Sequence, residues 1–204
     1  MLPVGVPVWW DSANKFLLKD EFLSPVVKAY FGESLTGKGD LFATLVNSII
    51  GQQISVIAAD AISKRLVGMV GEITPENISK FSQEDIASCG LTKSKASYIH
   101  GIANDSENFL SPNFSEMSDA EINKHFVSFR GIGPWTSEML MIFGLLRPDR
   151  FSIGDIGLVK AVKMLNPSIE TKEEVDVFAE RWSPYRTAAA WYLWRMLDPV
   201  PVAY

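Results

Sequence analysis

Apolar residues recur at every third or fourth position along most of the chain, which is the spacing of one face of an α-helix. Residues 54–69 show this pattern and predict a strongly apolar, buried helix. No long stretch alternates apolar and polar residues, so a substantial sheet is not expected. The pattern therefore predicts an all-α fold. The clearest run follows Asp40, and its apolar positions are Leu41, Phe42, Leu45, Val46, Ile49 and Ile50.

Capping residues and prolines mark where the other helices begin. They predict two helices within residues 11–31, interrupted at Ser24-Pro25. Loops are predicted over residues 32–39 and over the polar, proline-containing residues 104–117. Further helices are predicted after Thr74, over residues 82–88, 92–103 and 156–165, after Thr171, and over residues 185–197.

Two glycines interrupt the helical pattern in the second half of the chain. A capping box at Ser118–Glu121 predicts a helix that stops at Gly131. Gly131 and Gly133 can take positive φ or let another molecule approach the backbone, and Pro134 suits the first position of a second helix. Such a helix-hairpin-helix, over about residues 119–144, presents amides that favour a bound phosphate. Taken alone, the same pattern also fits an ordinary corner between two helices.

Composition and charge narrow the class of protein. The chain has 204 residues, of which 47% are hydrophobic and 21% charged, as in soluble proteins of one or two small domains. Its apolar runs are shorter than the roughly 20 residues of a membrane span, so the cytosol, the nucleoid or a eukaryotic nucleus is the expected location. The net charge of −5 argues against nonspecific coating of DNA. It leaves room for a local DNA contact through backbone amides, which carry no formal charge.

Metal and disulfide chemistry have few candidate residues. The single cysteine, Cys89, excludes an internal disulfide and a four-cysteine iron-sulfur cluster, and it is expected to be a small core residue. With His100 and His125 as the only histidines, a zinc site would need unusual ligands. A transition-metal enzyme is therefore not expected.

Three segments, in this order along the chain, resemble the helix-hairpin-helix DNA glycosylase superfamily. The first and third are similar to its 3-methyladenine DNA glycosylase II branch, the AlkA and yeast Mag-like family, in a compact form without the N-terminal β domain. The resemblance covers about residues 10–197 and implies a single domain, 1–204, of two interleaved helical lobes with a DNA-binding cleft between them. The segments are Ile49-Ile50-Gly51-Gln52-Gln53-Ile54-Ser55, then Phe129-Arg130-Gly131-Ile132-Gly133-Pro134-Trp135-Thr136 with Gly154-Asp155-Ile156-Gly157 downstream, and Arg181-Trp182-Ser183-Pro184-Tyr185-Arg186-Thr187-Ala188-Ala189-Ala190-Trp191-Tyr192-Leu193-Trp194.

The resemblance also implies a role for individual residues. Asp155 is the implied catalytic carboxylate, because breaking the bond between base and sugar builds positive charge on the sugar. In isolation, an aspartate at a helix start is more often a structural cap. Gln53 is the implied wedge that fills the gap left by a flipped nucleotide. The alternative is a glutamine that caps a helix end. The implied base pocket consists of Trp135, Trp194 and Met139.

At the hairpin, the resemblance implies two kinds of main-chain contact. Amides of Gly131, Gly133 and Thr136 hold a phosphate, and carbonyls of Val127, Phe129 and Ile132 hold a monovalent cation, Na⁺ or K⁺. No cofactor is required. Arg130 and Lys160 are weaker phosphate candidates. The lysines expected to form a solvated face rather than a DNA contact are Lys80, Lys93 and Lys95.

These implications give one expected function and two alternatives. Trp135 stands where bifunctional members of the superfamily carry a nucleophilic lysine, which implies a monofunctional enzyme. The expected reaction is hydrolysis of the N-glycosidic bond of alkylated purines in double-stranded DNA, by a monomer acting in base excision repair. The chief expected base is 3-methyladenine, with 7-methylguanine or ethenoadenine as further candidates. A base alkylated on N3 or N7 is cationic, and aromatic faces attract such a ring. Met139, where related enzymes have tyrosine, leaves the base preference open. The alternatives are a glycosylase for another damaged base and a noncatalytic DNA-binding module.

Overall fold

The computed structural model describes residues 2–198, and most of them lie in α-helices. A π-helical segment, Leu140–Gly144, follows α10 directly. The prediction of an all-α fold is confirmed. The helices are α1 (Trp10–Leu17), α2 (Ser24–Ala29), α3 (Leu41–Gly51), α4 (Val56–Val70), α5 (Pro75–Ile78), α6 (Gln83–Ser88), α7 (Lys93–Asn104), α8 (Ser106–Leu110), α9 (Asp119–Val127), α10 (Pro134–Met139), α11 (Ile156–Leu165), α12 (Lys172–Ala179) and α13 (Arg186–Leu197).

Side-chain caps fix several of the predicted helix starts. Asp40 Oδ1 accepts a hydrogen bond of 2.8 Å from the Ala43 amide at the start of α3. Ser118 and Glu121 form the predicted capping box of α9. In both cases the side chain satisfies an amide that the helix itself leaves unpaired. The capping pattern in the sequence therefore places these helix starts correctly.

A small antiparallel pair of strands corrects the prediction of a loop over residues 32–39. β1 (Val4–Gly5) pairs with β2 (Gly37–Lys38). The backbone of Gly37 lies so close to its neighbour that a Cβ there would be 2.7 Å from the carbonyl oxygen of Pro3. Strands of two residues are too short to show an alternating pattern, which is why the sequence did not predict them.

The described chain divides into two compact units. The discontinuous unit comprises residues 2–39 and 141–198, and the continuous unit comprises residues 40–140. The predicted cleft between two lobes stays a prediction. No helix within residues 2–198 is long and apolar enough to cross a membrane.

Aromatic side chains form the core of the discontinuous unit around α13, which packs against α1, α2 and α11. The Trp10 ring lies 5.3 Å from Trp191 and 5.8 Å from Tyr192 between centroids. Tyr192 donates a hydrogen bond of 2.8 Å to Asn14 Oδ1. Burial, followed by the charge of Glu33, raises the pKa of Tyr192 to about 12. The phenol therefore stays neutral and acts as a fixed donor inside the core.

The core of the continuous unit lies around α3, which packs against α4, α7 and α10. Burial along α3 follows the predicted apolar face, from Leu41 to Ile50. A second cluster lies beside α9, where Phe109, Phe126 and Phe129 pack together. Cys89 is buried, as predicted. Burial raises the pKa of its thiol, so the side chain acts as a small apolar group.

Two predictions for the continuous unit are wrong. The helix predicted over residues 54–69 is not buried along its length, because only Leu66 and Val70 of α4 are buried while Ile57 is 84% exposed. The connection predicted over residues 104–117 contains α8. Its Phe109 is fully buried. In both segments tertiary packing decides the outcome, since a local apolar pattern does not show what covers it.

Candidate functional site

The helix-hairpin-helix motif is formed by α9 and α10. α9 ends at Val127 rather than at the predicted Gly131, and α10 begins after Gly133. Gly131 has φ of 97°, in the left-handed region that glycine tolerates. A Cβ at Gly131 would lie 2.3 Å from Cγ of Tyr98, whose ring packs directly beneath the turn. Gly131 is therefore required both by the backbone conformation and by the lack of space.

Gly133 serves the hairpin in a different way. Its backbone is extended, with φ of −92° and ψ of 179°, and a Cβ there would meet no atom within 4 Å. The residue is exposed, and the start of α10 has no side-chain cap. The start of α10, with the positive end of its helix dipole, therefore lies beside an exposed glycine, while Thr136 itself is buried. This geometry suits an anion that approaches the main chain.

The carbonyls predicted to hold a cation lie in the same turn. Val127 is the last residue of α9, so its carbonyl belongs to the group that a helix does not pair internally. The Phe129 carbonyl accepts a hydrogen bond of 3.1 Å from the Ile132 amide. A carbonyl oxygen has two lone pairs, so this bond is compatible with cation coordination. The donor set fits a monovalent cation, and the site stays a prediction.

Gln52 connects the end of α3 to the hairpin. Its Nε2 donates to Thr136 Oγ1 at 2.9 Å and to the Gly131 carbonyl at 3.3 Å. Thr136 is only 2% exposed, so it lies inside the motif, and the phosphate contact predicted for its amide stays a prediction. The local sequence pattern around Gln52 does not specify these two bonds, because the partners lie about eighty residues further along the chain.

Lys95 corrects the prediction of a solvated lysine face. Its ammonium group donates to the carbonyls of Gln52, at 2.7 Å, and Ile50, at 2.9 Å. Burial lowers the pKa of Lys95. The side chain therefore caps the carboxyl end of α3, where a cation also favours the negative end of the helix dipole.

Gln53 lies at the surface, immediately after α3. It is exposed, and its backbone has φ of 58°, which is uncommon for a residue other than glycine. Three apolar side chains that follow it are also exposed: Ile54, Val56 and Ile57 at 38%, 46% and 84%. The segment thus presents an amide side chain and a set of apolar side chains to the exterior.

Asp155 occupies the N-cap position of α11. Its Oδ1 accepts a hydrogen bond of 2.9 Å from the Leu158 amide and one of 3.2 Å from Nε1 of Trp194. A Cβ at Gly157 would lie 3.0 Å from the same oxygen, so glycine at that position leaves room for the carboxylate. The helix start and the indole together fix the orientation of the carboxylate.

Trp194 and Asp155, two predicted site residues 39 positions apart in the sequence, are joined by a direct hydrogen bond. Trp194 is partly exposed, and its ring stacks on Phe143 with centroids 5.5 Å apart. Phe143 belongs to the π-helical segment, and such segments are frequent at functional sites. Phe143 was not among the predicted site residues, since in the sequence this phenylalanine is one more apolar residue in an apolar run.

The other two predicted pocket residues lie on α10. Trp135 is partly exposed. Met139 is fully buried and has no surface in contact with solvent. Its burial favours a packing role, and its predicted contact with a base stays a prediction.

A turn upstream of Asp155 is held against the start of α13. Asp149 forms a bidentate ion pair with Arg186, with oxygen–nitrogen distances of 2.8 and 2.9 Å. Thr187 Oγ1 accepts from the Arg150 amide at 2.9 Å. Burial alone would raise the pKa of Asp149, but hydrogen bonds from Arg186 and Ser183 lower it overall. The carboxylate is therefore ionised at neutral pH and holds the turn that leads to Asp155.

Comparison with known proteins identifies the family. The sequence matches the HhH-GPD superfamily of base excision DNA repair proteins over residues 46–186. The chain belongs to this superfamily. Its predicted membership, and with it a role in base excision DNA repair, is confirmed.

Relatives of this HhH-GPD protein support the assignment along most of the chain. It is 31% identical to the DNA-3-methyladenine glycosylase of Bacillus subtilis, over 93% of this chain and 70% of the relative. It is 34% identical to DNA-3-methyladenine glycosylase 1 of Schizosaccharomyces pombe, over 78% and 73%. The solved structure of the S. pombe 3-methyladenine DNA glycosylase Mag1 in complex with abasic DNA matches with a TM-score of 0.81 and 31% identity, covering 90% of this chain and 95% of that one.

Proposed function

We propose that the protein is a monofunctional DNA glycosylase that hydrolyses the N-glycosidic bond of alkylated purines in double-stranded DNA. The observation that carries this proposal is Asp155, a carboxylate oriented by the start of α11 and by Trp194 in a chain of the HhH-GPD superfamily. The substrates proposed are 3-methyladenine, as the names of the relatives suggest, and also 7-methylguanine and ethenoadenine. The protein is proposed to act as a monomer.

The chemistry proposed for Asp155 follows from the charge that the reaction creates. When the bond between base and sugar breaks, the departing electrons leave positive charge on the sugar ring. A carboxylate fixed near that ring stabilises the charge and orients the attacking water. An alkylated purine that is already cationic leaves readily, so the protein need not protonate it strongly.

The exposed apolar residues support contact with unstacked DNA. Large apolar side chains next to Gln53 and next to Asp155 are exposed, among them Ile57 at 84% and Ile156 at 80%. Proteins that unstack bases use such side chains against the minor groove and the exposed base faces. Gln53 is proposed to fill the gap that the flipped nucleotide leaves.

The aromatic residues account for the proposed base class and for the absence of strand cleavage. Trp194 and Trp135 offer partly exposed indole rings, which attract a cationic base by cation–π stacking. Trp135 has no nucleophilic group, so no covalent link to the sugar is formed and the product is an intact strand with an abasic site.

The hairpin supplies the proposed phosphate contact. Amides at the start of α10 donate to a phosphate, and the open surface above Gly133 lets the DNA backbone approach. The carbonyls of Val127, Phe129 and Ile132 would hold Na⁺ or K⁺, whose charge offsets that of the phosphate. Because this contact uses main-chain groups, it is compatible with the net charge of −5.

Release of free bases from a duplex methylated in vitro tests the proposal. We expect 3-methyladenine among the freed bases, identified by chromatography, and DNA strands that break only after alkaline treatment. Strand breaks without alkali would contradict the monofunctional assignment. Binding to the methylated duplex without any freed base would overturn the alkylpurine reaction, and a duplex with deaminated bases would then show whether another lesion is cleaved.

A further inference from the structure

The segment from Gln52 to Ser55, here called the wedge loop, has a backbone that needs support. Gln53 in this loop adopts φ of 58°, and the flanking Gln52 has φ of −54° and ψ of 122°. A left-handed conformation at a residue with a side chain is unfavourable and persists only where neighbouring structure holds it. The one main-chain bond across the turn, from the Ile54 amide to the Gly51 carbonyl, is 3.5 Å long. Support must therefore come from outside the loop.

Lys95 of α7 provides that support. Its ammonium group donates to two carbonyls that precede Gln53, those of Ile50 and Gln52. Hydrogen bonds from a charged donor are shorter and stronger than neutral ones. By binding both carbonyls, one cation fixes the direction in which the chain leaves α3, and with it the position of Gln53.

The same helix supports the hairpin. Tyr98 lies three residues after Lys95, on the same side of α7, and its ring fills the space beneath Gly131. The Gln52 side chain then joins the wedge loop to the hairpin through Gly131 and Thr136. One turn of α7 thus contacts both parts of the continuous unit that are proposed to touch DNA.

We infer that Lys95 is a positioning residue for Gln53, holding the wedge loop in the conformation that fills the gap in damaged DNA. The ammonium group acts on protein carbonyls and makes no DNA contact itself. This inference rests on the proposed function, because Gln53 is the wedge only if the protein acts on flipped nucleotides.

Binding to two DNA duplexes tests the inference without any need for catalysis. One duplex contains a single tetrahydrofuran residue, an abasic analogue that leaves a gap for the wedge. The other is fully paired. We expect Lys95→Met to weaken binding to the abasic duplex about tenfold, or roughly 1.4 kcal/mol, and to leave binding to the paired duplex within about twofold.

A double-mutant cycle separates positioning from a general loss of fold. If Lys95 acts through Gln53, then Lys95→Met combined with Gln53→Ala should bind the abasic duplex no more weakly than Gln53→Ala alone. The inference would be overturned if the losses of affinity caused by the two substitutions were additive, or if Lys95→Met weakened binding to both duplexes equally. It would also be overturned if Gln53→Ala bound the abasic duplex as tightly as the wild type does.

Salt dependence and a matched lysine provide the controls. A lysine that contacts a phosphate contributes about one unit to the slope of log affinity against log salt concentration. Lys95→Met should leave this slope unchanged, and a shallower slope would identify Lys95 as a DNA contact instead. Lys93→Met, at an exposed position of the same helix, should leave the affinity for both duplexes unchanged.

A second variant covers the case in which Lys95→Met does not fold. Lys95→Gln keeps a neutral donor, and we expect an intermediate loss on the abasic duplex with the same lack of additivity. Base release by the wild type is measured separately. If no base is released while the loss on the abasic duplex persists, the proposed reaction fails and the positioning role stands.

Discussion

The helices α10 and α11 begin with different N-cap residues, of which one is charged and the other is not. At α11 the Asp155 side chain caps the helix, so a full negative charge lies against the amides of the first turn. At α10 the N-cap is Gly133, which is exposed, has no side chain and has open space where a Cβ would lie. One helix start thus holds a protein carboxylate, and the other has no side-chain cap. The first helical residue differs as well, since Pro134 of α10 has no amide hydrogen to donate.

The largest effect is expected from changing Asp155, the N-cap residue of α11. Asp155→Asn should lower base release about a thousandfold, since an amide carries no charge to stabilise the sugar cation. Asparagine caps helices as well as aspartate does, so folding should be preserved. Single-turnover base release and DNA binding measure the two effects. Asp40→Asn, at the equivalent N-cap position of α3, is the control and should keep full activity. A comparable loss in both variants would mean that Asp155 is only a cap.

The hairpin itself should be sensitive to a single methyl group. Gly131→Ala combines a strained φ of 97° with a Cβ that would lie 2.3 Å from the Tyr98 ring. We expect the free energy of unfolding to fall by about 3 kcal/mol, measured by urea denaturation. Gly101→Ala, where a Cβ meets no atom within 4 Å, should be neutral or stabilising. Equal stability of the two variants would contradict the packing of Tyr98 beneath the turn.

The start of α10, which has no side-chain cap, can be given one by a substitution at Gly133. Gly133→Asp should stabilise the protein by up to about 1 kcal/mol through a new cap, because the position is exposed and has space. The same carboxylate would repel a phosphate, so DNA affinity should fall by about tenfold or more. Gly133→Ala, which adds no charge, should show a smaller loss. Unchanged affinity of Gly133→Asp in a binding titration would exclude a phosphate at this helix start.

A smaller effect is expected from the ion pair that holds the turn before Asp155. Asp149→Asn should lower the free energy of unfolding by about 1.5 kcal/mol at neutral pH. Since the pKa of Asp149 is lowered in the folded protein, this stabilisation is complete above its ordinary value of 3.8 and is lost as the pH falls through the lower folded value. Urea denaturation at several pH values should show wild type and variant converging in acid. A difference that stays constant with pH would exclude this ion pair as its source.

The two helix starts also differ in how far the sequence revealed them. The catalytic role of Asp155 was implied by the family resemblance, through the place of this residue in the motif downstream of the hairpin. The bond of Asp155 to Trp194 was not, because the two lie 39 positions apart. The glycines of the hairpin were recognised together, but only the structure shows that Gly131 adopts a left-handed conformation, whereas Gly133 is extended and exposed.

The sequence by itself determined the all-α fold, most helix starts and the family. These depend on local patterns, namely apolar spacing, capping residues and short motifs, whose physics acts over a few neighbouring residues. Tertiary structure alone decided which apolar residues of α4 stay exposed, that Phe109 is buried, and that Lys95 binds the carboxyl end of α3 rather than solvent. Each of these depends on contacts between segments distant in sequence, and a local pattern does not specify such partners.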